Sequence, residues 1–435
     1  MFISLPAPLR ARTAPFLYPA NSPSTFCASR IMAYSIHIAK PSLGAVPDTA
    51  KDKSHHVKDE NGKISHFKNP HASWKTFGFW NVGYKLFRGK LDGTLQAPAP
   101  KTEPIPIQTP EFLTSRFASR ELRSTWLGHA CHYVEFPLGL RVLFDPVLED
   151  RCSPFTFAGP KRYTRRACPI ADLPFLDAVV ISHSHYDHLS LPTVREVQKR
   201  FPDAHFFVGL GLESWFHKSG VKNVTEMDWW EDVDVTVELG KGGGSGGEEG
   251  DRNVITATVS CLPSQHTSSR YGLDEDKTLW CSWAVKSTGP SSSASEPSPP
   301  ITKSVYFGGD TGYRSVPELP ASEDDHDEKY AHLPSNPDFK HIGDLRGPFD
   351  LGLLPIGAYA PRYMMSHMHT DPFDAVEIFQ DTKCRRAMAI HWGTWALTME
   401  PVMEPPEKLR EALRRKGLEE KGVFDICDIG ESRTF

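Results

Sequence analysis

The sequence predicts a layered α/β fold within one large domain, and three observations lead there. Short runs rich in Val, Ile and Phe recur along the chain, helical patterns separate them, and His and Asp residues repeatedly stand at the ends of the runs. The strand-like runs cover 125–136, 141–144, 178–181, 205–208, 233–239, 254–259, 279–285, 304–307, 351–355 and 387–390. Helical patterns cover 193–201, 372–380 and 407–416, the last followed by Gly417 as a C-cap. In such a layering the polar strand ends gather along one edge, which is where a site is expected.

Composition narrows the class. A chain of 435 residues that is 39% hydrophobic and 24% charged has ample material for one core. No uninterrupted apolar run approaches the length that crosses a bilayer. The formal net charge of −5 supplies no global attraction to nucleic acid or anionic lipid, so any such contact must be local. The eight cysteines, at 27, 131, 152, 168, 261, 281, 384 and 427, form no Cys-x-x-Cys pair and read as free thiols.

Residues 1–47 contain no Asp or Glu yet carry Arg10, Arg12, Arg30 and Lys40, the composition of a mitochondrial transit peptide. Prolines at 6, 8, 15, 19 and 23 oppose one long amphipathic helix, so a disordered extension, or a start at Met32, stands beside that reading. Residues 1–65 are set outside the fold, and 66–435 form the domain. Phe77-Gly-Phe-Trp80 with Tyr84, Phe87, Lys75, Lys85, Arg88 and Lys90 suits either a bilayer interface or packing on the core. Prolines at 98, 100, 104, 106 and 110 mark 97–110 as an extended connector. Low-complexity insertions are expected near 240–250, 289–300 and 321–341, with His326 in a solvated acidic loop. The basic run Lys161-Arg-Tyr-Thr-Arg-Arg166 reads as a solvated face or a contact for lipid phosphate.

The chemistry concentrates in Ile181-Ser-His-Ser-His-Tyr-Asp-His188. His183 and His185 leave a buried strand two residues apart and point the same way, so they can share one metal ion. Asp187 and His188 follow in the turn and face a second position. Imidazole with carboxylate suits zinc, and by ligand type also manganese or iron. Two ions need further ligands, and three strand ends offer them. His266 follows 254–259, Asp310 ends Val305-Tyr-Phe-Gly-Gly-Asp310, and His391 ends Ala387-Met-Ala-Ile-His391. The glycine pair before Asp310 allows close backbone approach, so that its carboxylate can reach both ions.

The ligand order His-x-His-x-Asp-His, His, Asp, His resembles the metallo-β-lactamase superfamily, which implies an αββα sandwich of two mixed sheets flanked by helices. Phe67-Lys-Asn-Pro70 with Trp74, Thr125-Trp-Leu-Gly-His-Ala130, Gly159-Pro-Lys-Arg162, Gly209-Leu-Gly-Leu212, Asp228-Trp-Trp-Glu231, Pro263-Ser-Gln-His266, Gly309-Asp-Thr-Gly-Tyr313, Pro355-Ile-Gly-Ala-Tyr359, Ile390-His-Trp-Gly-Thr394 and Gly430-Glu-Ser-Arg433 are similar to the N-acylphosphatidylethanolamine-hydrolysing phospholipase D family. Carried over, the resemblance implies that His183, His185 and His266 bind one Zn2+ ion and Asp187, His188 and His391 a second, with Asp310 bridging them. It places His369 of His369-Thr-Asp-Pro372 against the substrate, although the same tetrapeptide also reads as a helix start.

The resemblance therefore implies a zinc-dependent phosphodiesterase of phospholipase D type. A hydroxide bridging the metals attacks phosphorus, and N-acylphosphatidylethanolamine yields N-acylethanolamine and phosphatidic acid. Asp310, Asp187 and His369 carry the catalysis in this reading. It also implies a membrane phospholipid substrate, an intracellular and peripherally membrane-associated protein, and a homodimer. The competing reading is a lactonase or other small-molecule hydrolase on the same metal site, because the pocket decides the substrate. A nuclease is disfavoured, since no extended basic domain is present to hold a nucleic-acid backbone.

Overall fold

A computed structural model describes residues 34–75, 105–239, 254–289, 300–320 and 322–435. Among them the strands are β1 (Tyr34–Ile38), β2 (Ser42–Leu43), β3 (His56–Lys58), β4 (Ile64–Phe67), β5 (Arg123–Gly128), β6 (Cys131–Glu135), β7 (Arg141–Phe144), β8 (Ala178–Val180), β9 (His205–Gly209), β10 (Val224–Met227), β11 (Glu231–Leu239), β12 (Val254–Leu262), β13 (Ser282–Gly289), β14 (Ile301–Phe307), β15 (Leu351–Pro355), β16 (Ala387–Ile390), β17 (Phe424–Asp425) and β18 (Ser432–Thr434). The helices are α1 (Leu191–Arg200), α2 (Glu213–Lys218), α3 (Asp338–Leu345), α4 (Arg362–Met365), α5 (Pro372–Asp381) and α6 (Glu404–Arg415).

Two mixed sheets form a sandwich. One runs β1-β11-β12-β13-β14-β15-β16-β17, with β2 also on β11, and the other runs β10-β9-β8-β7-β6-β5-β18. The first is antiparallel from β11 to β14 and parallel from β14 to β17, while β7 to β10 are parallel in the second. Side-chain alternation explains the layers. Ala178 and Val180 of β8 join the core between the sheets with Phe144, Phe207, Val285, Val305 and Leu353. Val179 points the other way, into a second cluster with Leu143, Phe206 and Val194 and Val197 of α1. Helices α3, α5 and α6 cover the opposite sheet through Phe339, Ile342, Ile378, Phe379, Leu409 and Leu413. A strand covered on both faces must be apolar on both, which is why 178–181 reads as a continuous hydrophobic run.

Several boundaries differ from the sequence-based expectation. The run 125–136 is two strands, because Gly128 (φ +103°) and His129 (φ +53°) turn the chain between β5 and β6. Helix α6 begins at Glu404 with Pro405 and Pro406 in its first turn. Its end matches the C-cap expected at Gly417: the Gly417 N–H donates to Arg414 O and the Leu418 N–H to Leu413 O.

Setting residues 1–65 outside the fold is corrected from Tyr34 onward. Strand β1 pairs antiparallel with β11, placing Tyr34 opposite Leu239, and β3 with β4 forms a separate hairpin. Residues 1–33, most of the aromatic and basic stretch 75–90, and 97–104 of the connector lie outside the described residues. So do the tract 240–250 and most of 289–300, which fall between β11 and β12 and between β13 and β14. The reading of the acidic stretch around His326 as a solvated loop is also corrected. His326 is not solvated: its Nε2 donates to Asp371 Oδ2 at 2.7 Å, its Nδ1 accepts from Arg314 Nη2 at 2.7 Å, and its ring stacks on Phe373. Asp325 lies between Arg314 and Arg362, and Asp338–Leu345 is a helix. Acidic residues docked on buried arginines pack as a layer although their composition reads as loop.

The β3–β4 hairpin is tied down by one buried carboxylate. Asp228 Oδ1 accepts from His55 Nε2 at 2.8 Å, and its Oδ2 from Lys53 Nζ at 2.6 Å, with His56 Nε2 also in reach. Burial pushes the Asp228 carboxyl up, but His55, His56 and Lys53 outweigh it and hold the group well below the ordinary carboxylate range. Such a group stabilises the fold fully above its unfolded pKa of about 4 and loses that contribution as pH falls toward its folded value. Amide exchange in β3 and β4, corrected for the intrinsic rate, is therefore expected to be more protected at pH 5 than at pH 2. Equal protection at both values would remove the clasp from the account.

Candidate metal centre

The site forms where parallel strands of both sheets end. His183 follows β8, Asp310 follows β14 and His391 follows β16, while His266 leaves β12. The approach of β14 to the β8 loop requires a glycine: Gly309 has φ +57°, and a Cβ there would stand 2.6 Å from Ser182 Cβ. The expected residues all converge. Ligand atoms of His183, His185 and His266 lie within 4.8 Å of one another, as do those of Asp187, His188, His391 and His129. Asp310 stands between the groups, with Oδ2 3.2 Å from His188 Nε2, 3.7 Å from His266 Nε2 and 3.9 Å from His183 Nε2, and Oδ1 3.1 Å from His391 Nε2.

The surrounding chain sets which ring nitrogen faces inward. The Ser182 hydroxyl donates its proton to Asp145 Oδ2 at 2.5 Å, so at 2.9 Å it accepts from His183 Nδ1, leaving the lone pair on His183 Nε2. His188 Nδ1 donates to Asp145 Oδ2 at 2.6 Å and His266 Nδ1 to Met368 O at 2.9 Å, again leaving Nε2 inward. His185 presents Nδ1, 2.8 Å from His183 Nε2 and 3.2 Å from His266 Nε2. Outer hydrogen bonds of this kind fix the tautomers that metal ligation needs.

Charge points the same way. Burial alone would raise the Asp187 and Asp310 carboxyls, but the neighbouring imidazoles, His188 foremost, hold both well below the usual range. Burial pulls His183 and His266 down, keeping them neutral. It opposes charge on His391 too, yet Asp310 and Asp187 prevail and hold that imidazole up at about 9. His188 is raised for a similar reason. Cations are favoured where these carboxylates meet, and bound metal ions supply that charge in place of protons. Buried His188 Nε2 and Asp310 Oδ1 have no hydrogen-bond partner, as expected of atoms directed at an ion. The residues present fit a metal centre.

His369 also reaches the centre. Its ring lies 5.0 Å from that of His266, and its Nδ1, buried and without a hydrogen-bond partner, is 3.9 Å from Asp310 Oδ2. Burial lowers its pKa to about 3, so the ring is neutral. The helix-start reading holds as well: Asp371 caps α5, accepting from Asp374 N at 3.0 Å. Gln265 Nε2 on His367 O and Thr370 N on Thr311 O pin the loop carrying His369.

Two residues of the centre escaped sequence reasoning. Asp145 ends β7 and aligns both Ser182 and His188. His129 Nε2 donates to Asp187 Oδ2 at 3.1 Å, and its carbonyl accepts from His391 N at 3.1 Å. Both stand at strand ends, the signal that found the others. Against the ligand loop, a cavity of about 550 Å³ is lined by Tyr186, Trp215, Arg270, Tyr271, Phe155 and residues near them. Arg270 joins it to the ligand loop: its ring-stacked guanidinium lies 4.0 Å over Tyr186, and Nη1 donates to Ser184 O and Leu189 O.

Comparison with known proteins agrees with this architecture. Residues 140–392 match the family described as Beta-lactamase superfamily domain. The chain is 36% identical over 384 residues to N-acyl-phosphatidylethanolamine-hydrolyzing phospholipase D 1 of Caenorhabditis elegans, covering 85% of this chain and 92% of that protein. It is 31% identical over 316 residues to the mitochondrial N-acyl-phosphatidylethanolamine-hydrolyzing phospholipase D of Saccharomyces cerevisiae, covering 72% of this chain and 56% of that one. A solved metallo hydrolase from Ignicoccus hospitalis is 19% identical with a TM-score of 0.43, covering 72% of this chain and 98% of that one. With its converged histidines and carboxylates, the chain is a metal-dependent hydrolase that belongs to the N-acylphosphatidylethanolamine-hydrolysing phospholipase D family of the β-lactamase superfamily.

Proposed function

We propose that this protein hydrolyses N-acylphosphatidylethanolamine on the ethanolamine side of the phosphate, releasing N-acylethanolamine and phosphatidic acid. The observation that carries the reading is the 36% identity, across 92% of its length, to a worm protein named for that reaction. In this proposal His183, His185 and His266 would hold one Zn2+ ion and Asp187, His188 and His391 a second, with the Asp310 carboxylate within reach of both groups. When bound, such ions act as Lewis acids that acidify water and neutralise charge on phosphoryl oxygens.

The chain's own residues then have separate tasks. Asp145 and His129 hold the ligand loop and Asp187 in register. His369, kept neutral by burial, offers a ring N–H to the ester oxygen that departs. The attacking water releases one proton and the departing alkoxide takes one up, so His369 needs only to relay it. The 550 Å³ cavity beside Tyr186 would accept part of the lipid. No helix among the described residues is long and apolar enough to cross a membrane, which is compatible with substrate taken from a bilayer surface. The yeast relative's name places that protein in the mitochondrion, which supports a transit segment here, ending before β1.

Product analysis tests the reading. Zinc-loaded protein given N-acylphosphatidylethanolamine in mixed micelles is expected to release N-acylethanolamine and phosphatidic acid in equal amounts, and a chelator to abolish both. Free fatty acid as the product, or no turnover by metal-replete protein, would defeat the proposal in favour of another hydrolase chemistry.

A further inference from the structure

Among the described residues, eight large apolar side chains are exposed, and four of them sit on two loops that face the same cavity. Phe155 (53% exposed) and Phe157 (79%) lie on the loop after β7, with ring centroids 5.4 Å apart. Tyr271 (68%) and Leu273 (89%) lie on the loop after β12. Phe155 and Tyr271 line the cavity, whereas Phe157 and Leu273 project outside its lining. Large apolar side chains displayed together at a cavity mouth mark an interaction surface.

The second loop is presented stiffly. The Asp274 carboxylate accepts from Ser269 Oγ at 3.0 Å, Arg270 N at 3.0 Å and Tyr271 N at 2.7 Å, closing a tight turn with Gly272 at φ +77°. Arg270, at the base of that turn, holds the carbonyls of Ser184 and Leu189 at 2.8 and 2.7 Å. Those carbonyls belong to the loop that carries His183, His185, Asp187 and His188. The tip bearing Tyr271 and Leu273 is thus fastened to the ligand loop. On the other side, Arg151 Nη1 donates to Gly159 O, which closes the Phe155–Phe157 loop, and exposed Lys161, Arg165 and Arg166 follow in the same segment.

We infer that these two loop tips insert into the outer layer of a phospholipid bilayer and seat the cavity mouth on the headgroups. The occupant follows from the shape of the patch. Its apolar parts stand on two separate loops that each contribute a residue to the lining of one opening, so a flat protein face would leave the opening uncovered. A fluid lipid surface surrounds each tip and delivers a lipid into the opening between them. Aromatic rings with neighbouring Lys and Arg are the chemistry of the headgroup boundary. Docking then sets the depth of the metal centre, because Arg270 joins the inserted tip to the ligand loop. The inference rests on the lipid reading of the site and adds the surface by which the protein meets its substrate.

The test uses the full chain and the double variant Phe157→Ser/Leu273→Ser, at the two positions exposed outside the cavity lining. Flotation on vesicles of phosphatidylcholine with phosphatidic acid, without N-acylated lipid, measures docking apart from turnover. The wild type is expected to float and the variant to partition at least about tenfold less. Hydrolysis of bilayer-borne N-acylphosphatidylethanolamine is expected to fall in parallel, while hydrolysis of a short-chain analogue below its micelle concentration stays within about twofold. The inference is overturned if the variant floats like the wild type, if the wild type does not float, or if both substrates lose rate equally. It is also overturned if the variant loses self-association on light-scattering chromatography while flotation is unchanged, which would make the patch a contact between copies. Wild-type flotation that the variant loses, with no hydrolysis of either lipid by either protein, would support the docking surface while removing the proposed reaction.

Discussion

Asp310→Asn is expected to lower turnover by roughly 10²–10³-fold or more, the scale on which loss of one transition-state charge interaction acts. The substitution keeps the shape of the side chain and removes the one carboxylate among the described residues whose oxygens face His183, His188, His266 and His391 together. A neutral amide would not balance the cations that the proposed metal centre places beside residue 310, so metal analysis after dialysis should also show less metal bound than in the wild type. The circular dichroism spectrum should match that of the wild type, because the glycine-lined turn that carries residue 310 is untouched. Turnover unchanged in Asp310→Asn would remove Asp310 from the centre. Turnover lost together with the folded spectrum would point to a structural role instead.

The largest effect on stability is expected from Asp177→Ala, far from the chemistry. Asp177 is buried, and its oxygens accept from Arg116 Nη1 at 2.7 Å, Arg116 Nη2 at 2.8 Å and Arg141 N at 2.8 Å. Arg116 is buried as well, stacked on Phe175 and donating to Gly139 O. Removing the carboxylate strands a buried guanidinium without its counter-charge, which costs about 3–5 kcal/mol in comparable pairs. Urea unfolding should show that loss as a shift of the midpoint with little change in slope. The double variant Asp177→Leu/Arg116→Met should recover most of it, since replacing both partners by apolar groups leaves no orphaned charge. A single variant within about 0.5 kcal/mol of the wild type would mean that the pair is solvated in solution.

The ligands were legible because most obey one local rule, a polar residue standing where an apolar run stops, and the others follow closely in the same loop. Burial on both faces disfavours His or Asp within runs such as β8 and β16, so residues of that kind collect at their ends and are visible in one dimension. His129 obeys the same rule, but Gly128 and His129 turn the chain with positive φ inside what reads as one strand, and the end was hidden. Asp145 lacked a signal of another sort, since its partners Ser182 and His188 are about forty positions away and one aspartate after a strand is commonplace.

The fold shows a similar division. Alternation and apolar runs identify β7 to β9 and β14 to β16, whose burial is decided within each segment. Strand β1 reads as tail because two of its five side chains are exposed and none is fully buried; its place depends on the edge of β11, more than 190 residues later. The acidic stretch around His326 reads as solvated because its composition is charged, and only the arginines waiting on α4 and after β14 make its burial favourable.

By itself, then, the order of residues determined the α/β layering, the family, and the identity of seven groups that can hold metal, because hydrophobic period and strand-end polarity are local properties. Tertiary structure alone decided which nitrogen of each imidazole faces the centre, that His129 and Asp145 support it, and that Phe155 and Tyr271 from distant loops line one cavity with Tyr186 of the ligand loop. Those are matters of direction and of contact between distant segments, set by how the two sheets stack and by where each loop finds its hydrogen-bond partners.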